Sequence, residues 1–242
     1  MIDAASRHPH FDIAVIGAGI AGASIAAELA AAGRHVLLLE RESQPGYHTT
    51  GRSAALFTET YGPPTIRALS RASARFFDHP PAGFCANPIL SERGVLMIAR
   101  ADQMESLEAH FAAVGPNNGV HLVGPAEARE RAPLLRADYV AGGMVEPGAR
   151  DIDVHGLHHG YLKAFRAAGG EMLTNATVRD LSRSGTVWSI DLGQRTIHAD
   201  VVVNAAGAWA DEIAALAGAA PIHLVPKRRT AVIVAAPKGI DP

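Results

Sequence analysis

Residues Phe11-Asp12-Ile13-Ala14-Val15-Ile16 form a nearly continuous apolar run, which predicts a strand. A Gly-rich turn and an Ala-rich stretch follow. The stretch closes at Gly33, predicting a helix. His35-Val36-Leu37-Leu38-Leu39 predicts a second strand, stopped by Glu40. The chain thus opens with strand, helix and strand in the spacing of a βαβ unit.

Further along, the pattern predicts a helix over about 64–77, a break over 79–88 and a buried strand over 94–99. A helix over about 102–114 is expected with Asp102 as its N-cap. A short helix follows Pro125, and Gly143-Met144-Val145 predicts a short strand. Val154, Leu157, Tyr161, Leu162 and Phe165 share one face of a helix capped by Asp153 and ended by Gly169-Gly170. Strand-like pieces follow at 171–173, 177–181, 186–191 and 196–197, then Val201-Val202-Val203, and finally 230–234. The βαβ pattern breaks off after about residue 55 and returns near Asp153. The simplest organisation is α/β. A dinucleotide-binding domain would span 1–55 and 149–220, and an inserted second domain 56–148 and 221–242.

The first turn, Gly17-Ala18-Gly19-Ile20-Ala21-Gly22, carries the first chemistry. Gly17 permits the tight exit from the strand, Gly19 lets backbone approach a pyrophosphate, and Gly22 lets helix and sheet pack closely. The helix N-terminus suits phosphate. Glu40 stands 18 residues after Gly22, where a carboxylate can accept ribose hydroxyls. An acid there argues against a 2′-phosphate, leaving FAD or NAD.

Composition narrows the picture little. The chain of 242 residues is 48% hydrophobic and 19% charged, with a formal charge of -2. No basic stripe dominates, so nucleic acid is not an expected partner. No run of 18 or more apolar residues predicts a membrane span. The polar first ten residues lack the apolar core of a secretory leader. Cys85 is the only cysteine, which excludes an internal disulfide and argues against a Cys-based metal site. These readings place the protein in the cytoplasm, with peripheral contact at the inner membrane left open.

Four stretches taken together resemble one family. They are the Gly17–Gly22 turn with Glu40-Arg41; Gly46-Tyr47-His48-Thr49-Thr50-Gly51-Arg52-Ser53-Ala54-Ala55; Thr177-Val178; and Asn204-Ala205-Ala206-Gly207-Ala208-Trp209 followed by Pro226-Lys227-Arg228-Arg229. The chain resembles the FAD-dependent D-amino acid oxidase and dehydrogenase family, which includes glycine and sarcosine oxidases. The second stretch, with residues 81–85 and 204–209, is most similar to the bacterial D-arginine dehydrogenase branch. The resemblance implies a Rossmann-like FAD-binding domain with an inserted α+β substrate domain. It implies non-covalent FAD contacted by Gly17, Gly19, Ile20, Ala21, Gly22, Glu40, Arg41, His48, Thr49, Thr50, Gly51, Arg52, Ser53, Ala54, Ala55, Val178, Ala205, Ala206, Gly207 and Trp209. Small residues at 51 and 53–55 would let backbone approach a flat ring, and Arg52 could neutralise phosphate charge.

The implied reaction is oxidative deamination of a D-amino acid to an imino acid and then a keto acid, with oxygen or a quinone as final electron acceptor. Tyr61 would close over the substrate, and an arginine, Arg228 rather than Arg229, would hold its carboxylate. A related hydroxy-acid or glycerol-phosphate dehydrogenase is the alternative, as is an inactive FAD-binding fragment. The family's chain is longer, so the sequence is expected to be truncated at its C-terminus. The strand over 94–99 has no acid, and Leu56 in the segment 56–62 is apolar, which favours an apolar or neutral substrate side chain unless Glu59 turns inward.

Other signals read as structural. His155, His158 and His159 have a spacing that can bind metal, but no further ligand is suggested, and a solvated helix face explains them. A turn explains Asp151, capping explains Asp153, and Cys85 reads as a structural cysteine rather than a flavin attachment point.

Overall fold

The structure is a computed structural model that describes residues 9–116 and 119–228, with 230, 232, 234, 235, 237 and 239. The chain divides into two compact units. The first gathers the described residues of Met1–Ser53, Pro81–Asn87 and Val154–Arg229, the second those of Ala54–Pro80, Pro88–Asp153 and Thr230–Pro242. Against the expected domain bounds, 81–87 and 221–228 fall with the first unit, and 54–55 and 149–153 with the second.

The first unit is built on β1 (His10–Ile16), α1 (Ile20–Ala31) and β2 (Val36–Leu39), in the predicted order. Its later elements are α5 (Val154–Ala167), β9 (Glu171–Leu173), β10 (Asp180–Ser184), β11 (Val187–Asp191), β12 (Thr196–Asn204) and α6 (Ala210–Leu216). Six strands form one sheet in the order β10-β11-β12-β1-β2-β9. β12, β1, β2 and β9 run parallel, and β10 and β11 are antiparallel additions. The two pieces expected at 196–197 and 201–203 are one strand. Thr196, His198 and Asp200 alternate with apolar residues, which disguised its continuity, and Val201 is exposed.

Alternation along β2 divides the core between the two faces of the sheet. Val36 and Leu38 pack with α1 and α5 on one face. Leu37 and Leu39 pack with Leu181, Ile190, Ile197 and the α6 residues Ile213 and Leu216 on the other. The segment 81–87 joins this unit because Phe84 lies edge-on to Tyr161, 5.0 Å between ring centres, and the Lys163 ammonium donates to the Gly83 carbonyl at 2.8 Å. Gly160 makes room for that ring, since a Cβ there would stand 2.3 Å from Phe84.

The second unit carries β3 (Leu56–Phe57), α2 (Pro64–Asp78), β4 (Leu90–Glu92), β5 (Val95–Ala99), α3 (Met104–Val114), β6 (His121–Val123), α4 (Pro125–Arg131), β7 (Gly142–Glu146) and β8 (Arg150–Ile152). Its strands form two antiparallel sheets, β3-β8-β4 and β5-β7-β6. α3 packs on Met97, Ala99 and Met144, while α4 packs near Leu96, Ile98 and Val145, so the alternation along β5 and β7 sandwiches that sheet between helices.

Several local expectations change. Asp102 does not cap α3: it lies in a 3₁₀ turn, Ala101–Gln103, and pairs with Arg100 at 2.9 Å. Asp151 is in β8, not a turn, and its carboxylate meets Arg93 at 2.6 Å. Of the expected strand over 230–234, positions 231 and 233 lie outside the described residues, and Thr230, Val232 and Val234 have no regular structure. The leader reading concerned residues 1–10, of which 1–8 lie outside the described residues.

Gly160→Ala forces a methyl into the Phe84 ring. Overpacking of this kind costs about 1–3 kcal/mol. The expected result is a lower urea midpoint, with faster proteolysis within 81–87 than in the unsubstituted protein.

Candidate active site

β1 ends in the turn that shapes the site. Gly17 has φ +102°, and a Cβ there would stand 2.4 Å from the Ala205 carbonyl oxygen, so only glycine fits between β1 and the end of β12. A Cβ on Gly22 would stand 1.7 Å from the Gly17 carbonyl oxygen, which brings α1 close against the turn.

The Ala18 residue between them is fully buried, and both its peptide groups are held by distant side chains. Its N–H donates to Glu40 Oε2 at 3.0 Å. Its carbonyl accepts from His158 Nε2 at 2.9 Å and from the Gly46 N–H at 3.0 Å. Glu40, 8% exposed, also takes the Glu42 N–H on Oε1 at 3.0 Å. Each carboxylate oxygen has a second lone pair for a further donor. The Thr50 hydroxyl oxygen accepts the Ile20 N–H at 3.0 Å, the first helical residue of α1.

A cavity of about 420 Å³ opens at the carboxyl ends of β1, β2 and β12. Parallel α/β sheets bind ligands in this position. It brings together Gly17, Gly19, Glu40, Arg41, His48, Thr49, Thr50, Val178, Ala205, Ala206, Gly207 and Trp209, drawn from four stretches far apart in sequence. Ile20, Ala21, Gly22, Gly51, Arg52, Ser53, Ala54 and Ala55 are not in its lining. Gly51 instead donates its N–H to the Gly46 carbonyl at 2.7 Å, and the Arg52 guanidinium lies over the Tyr47 ring at 4.9 Å. Ala54 and Ala55 belong to the second unit.

Ile213 and Leu216 of α6 also line the cavity, together with Ala176, and sequence reasoning missed them. Their signal was available: two apolar residues at i and i+3 in a helix directly after the last parallel strand. At the rim, Arg41 lies over the Trp209 ring at 3.8 Å, and His48 sits 4.6 Å from the same ring, bonded to Glu42 at 2.9 Å. That His48 bond is the main reason the Glu42 carboxyl is held below its usual range.

Of the residues expected to meet substrate, neither Tyr61 nor Arg228 is in the lining of this cavity. Tyr61 is 61% exposed in the second unit, beside the apolar side chains of Leu56, Ile66 and Leu69. Arg228 is exposed on irregular backbone, and Arg229 lies outside the described residues. The second unit does contain a buried carboxylate. Glu146 ends β7, accepts the Thr58 and Thr60 hydroxyls at 2.6 and 2.5 Å, and takes the Glu59 N–H at 3.0 Å.

The solvated-helix reading fails for His158, which is 3% exposed. Among the described residues no group of three potential ligands could hold a metal ion. No helix among them is long and apolar enough to cross a membrane.

The parallel sheet, the glycine turn under α1 and the acid after β2 define a Rossmann-like α/β unit. Residues 12–242 match the family DAO, FAD dependent oxidoreductase, and the chain belongs to that family of flavoproteins. It is 29% identical over 225 residues to 4-methylaminobutanoate oxidase (formaldehyde-forming) of Paenarthrobacter nicotinovorans, covering 90% of this chain and 27% of that protein. It is 27% identical over 235 residues to glycine oxidase of Geobacillus kaustophilus, covering 94% of this chain and 62% of that protein. The crystal structure of that glycine oxidase superposes with a TM-score of 0.76 at 26% identity, over 87% of this chain and 59% of the other. Glycerol 3-phosphate dehydrogenase of Caloramator mitchellensis is 24% identical over 223 residues, which are 90% of this chain and 46% of that protein. The chain therefore spans between about a quarter and three-fifths of the length of these relatives.

Two outcomes follow from this geometry. Glu40→Ala leaves the buried Ala18 N–H without its acceptor, and should cost about 1–3 kcal/mol of stability in a urea melt. The second concerns pH. Burial holds the His158 imidazole below its ordinary 6.5, aided by His159 and His155 and opposed by the Ala18 hydrogen bond and the Glu40 carboxylate. The unfolded chain therefore binds this proton more readily than the folded one, and stability falls as pH drops through about 6.5. Thermal midpoints measured from pH 8 to pH 5 should fall less in His158→Gln than in the parent.

Proposed function

We propose that the cavity of the first unit binds FAD without a covalent bond, and that the protein oxidises the carbon–nitrogen bond of a small amino acid. The observation that carries the reading is the arrangement at the strand ends, where the Gly17 turn, the Glu40 carboxylate and the α1 N-terminus converge on one cavity. In this reading residues 1–55 and 149–220 form the cofactor domain and 56–148 and 221–242 the substrate domain. Glu40 would accept the ribose hydroxyls, the turn and the α1 N-terminus would hold the diphosphate, and Val178 would face the adenine. Cys85, the only cysteine, is in the segment against α5 and does not line the cavity, which agrees with a non-covalent cofactor.

Bound FAD would supply a two-electron acceptor for the hydride of the amine-bearing carbon; with a proton lost from the nitrogen, the amino acid would become an imino acid that water would hydrolyse to a keto acid and ammonia. The chain's own part is to bind and orient. His48, Thr49 and Thr50 offer polar groups along the cavity, and the apolar Ile213 and Leu216 exclude water from one wall. An arginine, for which Arg228 is our choice by family resemblance, holds the substrate carboxylate with two parallel bonds. Tyr61 covers the substrate in the same reading. A D-amino acid with an apolar or neutral side chain is the proposed substrate. Glu146, the buried acid of the second unit, already accepts three donors and makes a poor partner for a cationic side chain. Oxygen or a quinone is the proposed final electron acceptor.

The chain has two tryptophans, Trp188 and Trp209, and only Trp209 lines the cavity. In a Trp188→Phe background, titrated FAD should quench the remaining emission. Adding Glu40→Ala should weaken that binding by about 1–3 kcal/mol, the range for a lost charge-assisted hydrogen bond. Anaerobic addition of a panel of D- and L-amino acids and N-methylated amines to the FAD-loaded protein then identifies the substrate by bleaching. Release of ammonia supports the amino acid reading. Bleaching by glycerol 3-phosphate, without ammonia, replaces it with the alternative.

A further inference from the structure

Among the described residues, His158 is the only fully buried histidine, and it serves neither the cavity wall nor the sheet core. It projects from α5 to the turn after β1. A carbonyl only accepts, so the 2.9 Å contact to the Ala18 oxygen fixes the proton on Nε2. The adjoining Cε1–Nδ1 edge of the ring faces Gly46, where a Cβ would stand 2.8 Å from Cε1, and φ there is +72°. The Gly46 N–H reaches the same Ala18 oxygen at 3.0 Å. One imidazole thus braces both the glycine turn and the start of the loop that carries His48, Thr49 and Thr50.

Peptide planarity gives this brace a consequence inside the cavity. The Ala18 carbonyl and the Gly19 N–H belong to one trans peptide and point in opposite directions. Holding the carbonyl against α5 therefore fixes the Gly19 N–H on the side away from α5. Gly19 caps α1, lines the cavity, and carries one of the N–H groups that a helix leaves without an internal partner.

We propose that His158 is a positioning residue for the dinucleotide: through the Ala18 carbonyl it aims the Gly19 N–H at the diphosphate and holds the 46–50 loop beside it. The proposal rests on the FAD reading above. It assigns the imidazole no contact with the cofactor. Its neutral Nε2–H form suffices.

The test uses the full chain at pH 8, where the imidazole is neutral, and compares His158→Leu with His158→Gln. Glutamine keeps an N–H near the position of Nε2, and leucine keeps bulk alone. FAD affinity is read by tryptophan quenching below every variant's thermal midpoint, and the midpoint without FAD is read separately. The leucine variant should bind FAD about 3- to 10-fold more weakly, the worth of one net hydrogen bond, and the glutamine variant should recover most of that loss. If His158→Leu does not fold, His158→Asn replaces it, its shorter amide falling short of Ala18. Unchanged FAD affinity with a lowered midpoint would reduce His158 to a packing residue and overturn the proposal. Equal losses in the leucine and glutamine variants would also overturn it, because the donor would then be irrelevant. Absence of FAD binding by the parent protein would overturn the FAD reading itself and the proposal with it, an outcome distinct from both.

Discussion

The two peptide groups of Ala18 are the point on which the site turns. Ala18 is buried and cannot reach water, so its N–H and C=O need partners inside the protein. Glu40 supplies the acceptor from the end of β2, and His158 and Gly46 supply the donors from α5 and the following loop. Four separate parts of the chain thus meet at one residue. That arrangement sets the path of the backbone from β1 into α1, and with it the shape of the cavity at the strand ends. The carboxylate of Glu40 is a structural acceptor before any ligand arrives.

Much of this was legible in the sequence because local rules dominate there. The βαβ opening, the helices after Pro64 and Pro125 and the amphipathic face of α5 follow from apolar spacing and capping, and they stand where expected. What could not be read depends on contacts distant in sequence. His158 falls on the apolar face of α5, three and four residues before Tyr161 and Leu162, but its spacing with the exposed His155 and His159 made it read as part of a solvated cluster, and its partner Ala18 is 140 residues away. Glu146 lies one residue beyond the expected strand, and its three partners come from 58–60. The segment 81–87 looks like a loop within the insert, yet Phe84 and the missing side chain of Gly160 dock it on α5. β12 looked like two pieces because its first half alternates with polar residues.

In the proposed reading, cofactor and substrate chemistry rest on different residues. The nucleotide-like cradle consists of backbone groups and small residues that one fold can reuse with many substrates. The relatives illustrate this, since proteins named for glycine, for 4-methylaminobutanoate and for glycerol 3-phosphate all share this stretch of chain. Family membership therefore fixes the cofactor class more firmly than the substrate, and the residues that choose the substrate must be sought by turnover rather than by likeness.

Amide hydrogen exchange with and without saturating FAD tests the central claim most directly. FAD should bring new protection confined to the turn at 17–23, to 40–42, to the 46–50 loop, and to 176–179 and 205–209, with the turn protected most strongly. Protection elsewhere with the turn unchanged, or no protection at a concentration that saturates flavin binding, would contradict it.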